Sequence, residues 1–279
     1  MDIKRKFYYF LPPSFRFLMR RIYFFPADLW KLITGDQDSL TPPKGLIFIG
    51  AGDFKKIGLH YLKLFEENCN LKSNHRVLDI GCGIGRIAIP LTKFLDTNGS
   101  YEGFDIVKTG IDWCNKHIST VYPNFRFFHV DLKNDLYNLK TERSAKSFEF
   151  PYPDSDFDMV VLTSVFTHML PEDIENYTKE IHRILKPGGK CLVTFFILNK
   201  ESRSFMKSNS GIKFEHNLGY YSLIDKNVKE ANVAYEEDYL MNLFKQNNLK
   251  IEKVIYGFWS GRQFKEVYDY QDTLILTKK

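Results

Sequence analysis

Val77-Leu78-Asp79-Ile80-Gly81-Cys82-Gly83-Ile84-Gly85-Arg86 decides the fold of this 279-residue chain. An apolar, β-rich run ends in an acid, and a glycine-rich turn then opens a helix. In an open α/β sheet, ligands sit beyond the carboxyl ends of the strands. Glycines there let the backbone approach a ligand where a Cβ would collide. The spacing is G-x-G-x-G and not the G-x-G-x-x-G of a dinucleotide site, because Arg86 holds the third glycine position. An acid just before the turn also suits a ligand with a positive group better than one with phosphates.

From His75 onward, β-rich runs recur at 76–80, 101–104, 126–130, 157–162 and 190–196, with helical stretches at 86–95, 108–120 and 171–185. This alternation predicts a parallel sheet with helices on both faces. Lys186-Pro187-Gly188-Gly189 stops the third helix and turns the chain into the fifth strand. A helix over 235–247 and two strands, 250–256 and 270–277, close the chain as an antiparallel hairpin. Between them 199–232 is polar, rich in Ser, Asn and Lys, and reads as an irregular insertion that caps the substrate side. Upstream, helices are expected at 14–25, 26–33 and 54–68, which divides the chain into an arm, 1–53, and a main domain, 54–279.

Two further strand tips carry acids. Asp105 closes Tyr101-Glu102-Gly103-Phe104-Asp105, 20 residues after Gly85, where a carboxylate can accept from ribose hydroxyls. Asp131, followed by Leu132, can accept from an exocyclic amine such as that of adenine. Together the three tips describe a pocket for an adenosine with a cationic tail.

With these companions the chain resembles the class I S-adenosylmethionine-dependent methyltransferases, in particular the bacterial small-molecule type. The resemblance runs from about residue 54 to the C-terminus. It rests on VLDIGCGIGR at 77–86, GFDI at 103–106, DL at 131–132, FDMVVLTSVFTHML at 157–170 and LKPGG at 185–189. It implies an α/β, Rossmann-like sheet of seven strands in order 3-2-1-4-5-7-6, mostly parallel with the seventh antiparallel. It implies S-adenosyl-L-methionine as cofactor. Asp79, with the Gly81-Cys82-Gly83 backbone, would hold the methionine end. Asp105 would take the ribose, Ile106 the adenine face, and Asp131 and Leu132 the adenine edge. Thr163 and Ser164, also counted with the cofactor site, would line the channel where the sulfonium methyl faces the acceptor. Phe54, in the 50–54 segment, would cover the sulfonium, whose charge an aromatic face attracts.

Absences narrow the acceptor. The position after the fourth strand reads Thr163-Ser164-Val165-Phe166 and not the Asn/Asp-Pro-Pro-aromatic of base-amino methylation, and no Pro precedes a Cys. The fifth strand ends at Asn199 without the acid of a magnesium-dependent site. A metal-free, in-line transfer to a small molecule is expected, at oxygen, with no nucleic-acid partner. His168 is the candidate general base, since imidazole titrates near neutrality; a packed or capping histidine is the bland alternative. His129, His216, Trp113 and Cys114 read as packing or surface residues. Trp259 to Arg262 could touch substrate or only pack. Two rival functions remain open, an NAD(P)-dependent Rossmann oxidoreductase and an inactive S-adenosylmethionine-binding protein.

Composition agrees with a globular protein. Hydrophobic residues make up 44% and charged residues 26%, which excludes collagen-like and wholly disordered chains. The four cysteines stand apart in no CxxC pair, which argues against a disulfide framework and fits a reducing compartment. Residues 1–34 hold seven basic and two acidic residues, so the net charge of +5 belongs to that segment. Ten aromatics lie among the Lys and Arg of residues 1–34. The arm reads as a lid or substrate wall, a membrane-surface anchor, or an oligomer contact. With prolines interrupting any signal-peptide core, a cytosolic or membrane-peripheral location is expected.

Overall fold

The first strand, β1 (Arg76–Ile80), is buried along all but its first residue, as a central parallel strand must be. A computed structural model of the chain describes residues 11–35, 40–50, 52–208, 212–262 and 269–279. The first ten residues of the arm, Ala51 and residues 263–268 of the closing connection lie outside the described residues. The described chain forms helix α1 (Pro13–Thr34), helix α2 (Phe54–Cys69), β1, helix α3 (Ala88–Phe94), strand β2 (Ser100–Asp105), helix α4 (Lys108–Cys114) and strand β3 (Phe125–His129). Then follow β4 (Phe157–Leu162), α5 (Pro171–Ile184), β5 (Leu185–Phe195), β6 (Ile197–Leu198), α6 (Lys200–Ser208), β7 (His216–Asn217), β8 (Tyr221–Leu223), β9 (Val233–Glu236), α7 (Glu237–Gln246), β10 (Leu249–Ile255) and β11 (Asp272–Lys278).

Seven strands form a mixed sheet in the order β10-β11-β5-β4-β1-β2-β3, with β11 antiparallel to both its neighbours. This is the expected order 3-2-1-4-5-7-6, and the expected closing hairpin. The chain packs as two compact units, 1–131 with 137–139, and 132–136 with 140–279.

In the first unit β1, β2 and β3 pair in parallel register. Tyr101 stacks on Phe125 at 5.2 Å and both are buried. Helix α2 begins where Asp53 accepts a hydrogen bond from the Lys56 N–H at 2.9 Å, and it ends at Asn70 in the left-handed conformation. Two short helices were expected before residue 34, but α1 is one helix that runs through Pro26. Proline removes one intrahelical hydrogen bond. Pro26 sits on an exposed side of α1, where water can replace it.

In the second unit Phe166, Tyr177, Phe195, Tyr235 and Phe244 form an aromatic core, each almost wholly buried. Helix α5 starts with Pro171 at its first turn and with the Asp173 carboxylate accepting from the Leu170 N–H. The segment 199–232 is not the irregular insertion expected. It supplies α6 and strands of a second sheet, ordered β6-β9-β8-β7. Strands of two or three residues are too short to show an alternating pattern. Tyr235 lies in β9 and not in the expected helix, and its hydroxyl donates to the Met169 carbonyl at 2.6 Å.

Asp272 holds this unit's corner. It is 1% exposed and accepts from the Ile197 N–H (2.7 Å), the Gly257 N–H (2.8 Å) and the Trp259 indole (2.6 Å). Trp259 is thereby a packing residue of the closing hairpin. Asp272→Ala would strand three buried donors at a cost of about 3 kcal/mol, and lower Tm by roughly 10 °C in a thermal melt. Asp112→Ala, which removes only an exposed ion pair with Lys108, should leave Tm unchanged.

Candidate functional site

Beyond β1 the chain makes three left-handed glycine steps, with φ of 74° at Gly81, 60° at Gly83 and 79° at Gly85. These conformations fold the turn tightly and delay α3 to Ala88, two residues after its expected start. The N–H groups of Gly81 and Cys82 both donate to the Phe104 carbonyl of β2, at 2.8 and 3.1 Å. Gly83 also has no room for a side chain, since a Cβ would lie 2.7 Å from Ile49. The segment before α2 therefore lies directly against the glycine turn.

Two carboxylates are buried here. Asp105 accepts from the Gly83 N–H at 2.8 Å with one oxygen and from the Val107 N–H at 2.7 Å with the other. It pins the glycine turn to the start of α4. Burial pushes its pKa up to about 6, against the pull of those N–H donors and of His129. Asp79 is 1% exposed. Its Oδ2 accepts from the Tyr101 hydroxyl at 2.7 Å, while Oδ1 is buried with no hydrogen-bond partner. Burial pushes its pKa up to about 7; the Tyr101 hydroxyl lowers it, Asp105 raises it and Arg86 lowers it.

The other expected residues of this unit are placed as follows. Cys82 is a buried thiol whose pKa burial raises, and its Sγ would touch a Cβ at Gly103 of β2. Its side chain thus packs under the turn. Ile106 and Asp131 are half-buried, and Asp131 accepts from the Asn138 amide at 2.8 Å. Leu132, the next residue, is buried and begins the second unit. Phe54 opens α2 and is buried. With Ile49, Asp53, Phe24, Arg20 and Lys31 it lines a cavity of about 870 Å³ between α1 and the start of α2.

Arg86 was read only as the residue that displaces a third glycine. Its half-buried guanidinium faces Gly50, and burial lowers its pKa while Tyr61 and Asp79 raise it. Its charge is thereby felt at Asp79. The available signal was its position, the first residue after a glycine turn that follows an acid.

In the second unit the tip of β4 is knotted to its neighbours. Ser164 is exposed and takes a left-handed φ of 59°, a conformation costing a non-glycine residue about 1 kcal/mol or more. Its N–H donates to Thr194 Oγ1 at 2.7 Å and its hydroxyl to Gln271 Oε1 at 2.9 Å; Thr194 also donates to that oxygen at 2.7 Å. Thr163 beside it is half-buried. His168 ends a one-turn helix, Phe166–His168, and its Nδ1 meets the Glu230 carbonyl at 2.9 Å. Nδ1 therefore carries a proton. Burial lowers the imidazole pKa, while the backbone of Glu230 and Ala231 raises it.

Glu230, inside the segment that carried no readable code, accepts from the Asp135 N–H at 2.5 Å. Burial pushes its pKa up to about 8, with its N–H donor opposing and the charges of Asp135 and Asp173 adding. Neither Gln271 nor Glu230 could be found from sequence, because each meets its partners across long stretches of chain.

Known proteins share this construction. Residues 77–189 match the family model described as a methyltransferase domain. A tRNA N(3)-cytidine methyltransferase of Gallus gallus is 29% identical over 133 residues, 46% of this chain and 32% of that protein. Phosphoethanolamine N-methyltransferase 1 of Arabidopsis thaliana is 27% identical over 229 residues, 79% of this chain and 42% of its own. The chain thus spans well under half the length of these relatives. Among solved structures, the PH0226 protein of Pyrococcus horikoshii shares the fold with a TM-score of 0.56 at 18% identity, covering 84% of this chain and 95% of that one. With its family-model match over 77–189, its strand order and its glycine turn flanked by buried acids, the chain is similar to the class I S-adenosylmethionine-dependent methyltransferases.

Proposed function

We propose that this protein transfers a methyl group from S-adenosyl-L-methionine to an oxygen of a small molecule. One observation carries the reading: the buried, partnerless Oδ1 of Asp79 beside the glycine turn. A buried carboxylate oxygen without a donor is costly, and an ammonium group supplies the missing hydrogen bond and charge. The sulfonium cofactor brings a methyl on positively charged sulfur, an excellent leaving group.

The chain's residues then divide the work. Asp79 takes the ammonium of the methionine end, and Arg86 pairs with its carboxylate. Asp105 spends one lone pair on each of its two N–H donors, and its remaining lone pairs accept from ribose hydroxyls. Gly81 and Gly83 keep the approach clear, and Cys82 packs beneath them. Ile106 covers one adenine face, and Asp131 with the Leu132 N–H meets its edge. Phe54 and Ile49 belong to the segment that excludes water from the glycine turn.

In the second unit we assign Thr163, Ser164 and His168 to the acceptor. A neutral imidazole is the form a general base requires, and burial of His168 favours it. We favour a small-molecule acceptor because the likeness to the phosphoethanolamine enzyme extends over 79% of this chain, against 46% for the tRNA enzyme. The tRNA likeness means that nucleic acid belongs among the acceptors tested. That relative is also named for transfer to nitrogen, so amines belong in the same assay.

Two outcomes follow. In the ligand-free fold the raised Asp79 pKa makes its contribution to stability full in acid, and lost as pH rises through about 7. Binding a cation favours the ionised form, so the sign reverses for affinity. Calorimetric titration with S-adenosylhomocysteine should show affinity falling as pH drops from about 8 to about 6, up to tenfold per unit, as first Asp79 and then Asp105 take protons. Asp79→Asn should weaken binding and remove the upper part of that dependence. Binding of NADH in place of S-adenosylhomocysteine would defeat the reading. Secondly, His168→Asn should slow turnover of the accepted substrate about a hundredfold or more and leave S-adenosylhomocysteine affinity unchanged. Unchanged turnover would reject His168 as the base.

A further inference from the structure

Helix α1 carries its apolar side outward. At 100° per residue, Leu18, Ile22, Phe25, Leu29, Trp30 and Ile33 fall within about half of the helix circumference, and every one is exposed. Ile22 is 58% exposed, Trp30 69% and Ile33 71%. No charged residue lies in that arc. The opposite side faces the protein and holds the charges. Arg16 is buried, and Arg20, Asp28 and Lys31 line the cavity described above.

A large contiguous apolar surface on a folded unit marks a contact. The charges beside it say what that contact is. Helix α1 carries Arg16, Arg20, Arg21 and Lys31 against the single acid Asp28. Both oxygens of Asp28 are occupied, accepting from the Lys44 N–H at 2.7 Å and the Gly45 N–H at 2.9 Å. The helix therefore carries a net positive charge, with Arg21 exposed beside the apolar arc and Arg20 and Lys31 along the cavity. A second copy would bring like charges together, whereas anionic lipid headgroups would neutralise them. The apolar arc is also far wider than the narrow seam of a helix pair. Exposed Trp30 and Tyr23 suit the boundary between headgroups and acyl chains. Among the described residues no helix is long and apolar enough to cross a membrane, so α1 would lie in the plane of the surface.

We infer that α1 is a bilayer-interface helix, which docks this protein on membranes rich in anionic lipid with its outward arc sunk to the acyl boundary. The inference rests on α1 and not on the methyl-transfer reading.

The test is flotation of the full chain with vesicles of phosphatidylglycerol and phosphatidylcholine in equal parts, and with phosphatidylcholine alone. Binding is expected to the anionic vesicles and to weaken with salt. Trp113 and Trp259 are buried, so Trp30 reports directly, and its emission should shift to the blue on binding. The triple variant Ile22→Ser, Leu29→Ser, Trp30→Ser should partition about a hundredfold more weakly while keeping its Tm and its affinity for S-adenosylhomocysteine. The chain staying free of anionic vesicles at low salt would overturn the inference, as would a triple variant that floats like the parent. Self-association abolished by the triple variant, without vesicle binding, would assign the face to a second copy instead.

Discussion

The pair of N–H groups that Asp105 accepts is the constraint on which the first unit depends. One comes from Gly83 in the turn after β1, the other from Val107 after β2. A single buried carboxylate thereby sets the distance between two strand tips and the entrances of the helices that follow them. Its neighbour Asp79 is also buried but is only half satisfied. Such a group is tolerated where something other than the protein completes it. The turn's rigidity and its unfilled bonding capacity are thus consequences of the same two acids.

The second unit is organised by the same logic with a different outcome. Asp272 is as buried as Asp79, yet three protein donors satisfy it. It acts as a structural joint between β6, the closing hairpin and β11. Glu230 is intermediate. The Asp135 N–H and the Asn134 side chain reach it, Asp135 and Asp173 stand near it, and its carbonyl orients His168. The number of donors around each acid separates a joint from a site, and burial alone does not.

Helix α1 departs from the usual arrangement, since Arg20, Asp28 and Lys31 line a cavity while Phe25 and Trp30 are exposed. The arm therefore walls a cavity on one face and presents an apolar surface on the other. The three readings of a basic aromatic arm are separated by which face carries which residues, and that depends on rotation about the helix axis.

Much of the fold was legible in the residues. The alternation of β-rich and helical runs from Arg76 onward, the stop at Pro187-Gly188-Gly189 and the closing hairpin mark out the strands, and the resemblance to the class I methyltransferases implies the order observed. The acids at strand tips, Asp79, Asp105 and Asp131, were legible for the same reason, because a strand's end and the turn after it are local in sequence. Tertiary structure alone decided the rest. It left Asp79 Oδ1 without a donor, set the Arg86 guanidinium against Gly50, joined Ser164 to Gln271 and His168 to Glu230, built a sheet from strands of two to four residues, and faced the apolar arc of α1 to solvent. Each of these depends on groups far apart in sequence or on which side of an element meets the core. Local pattern encodes where a strand or helix begins and ends, but hydrogen-bond satisfaction is settled only when the whole chain has packed.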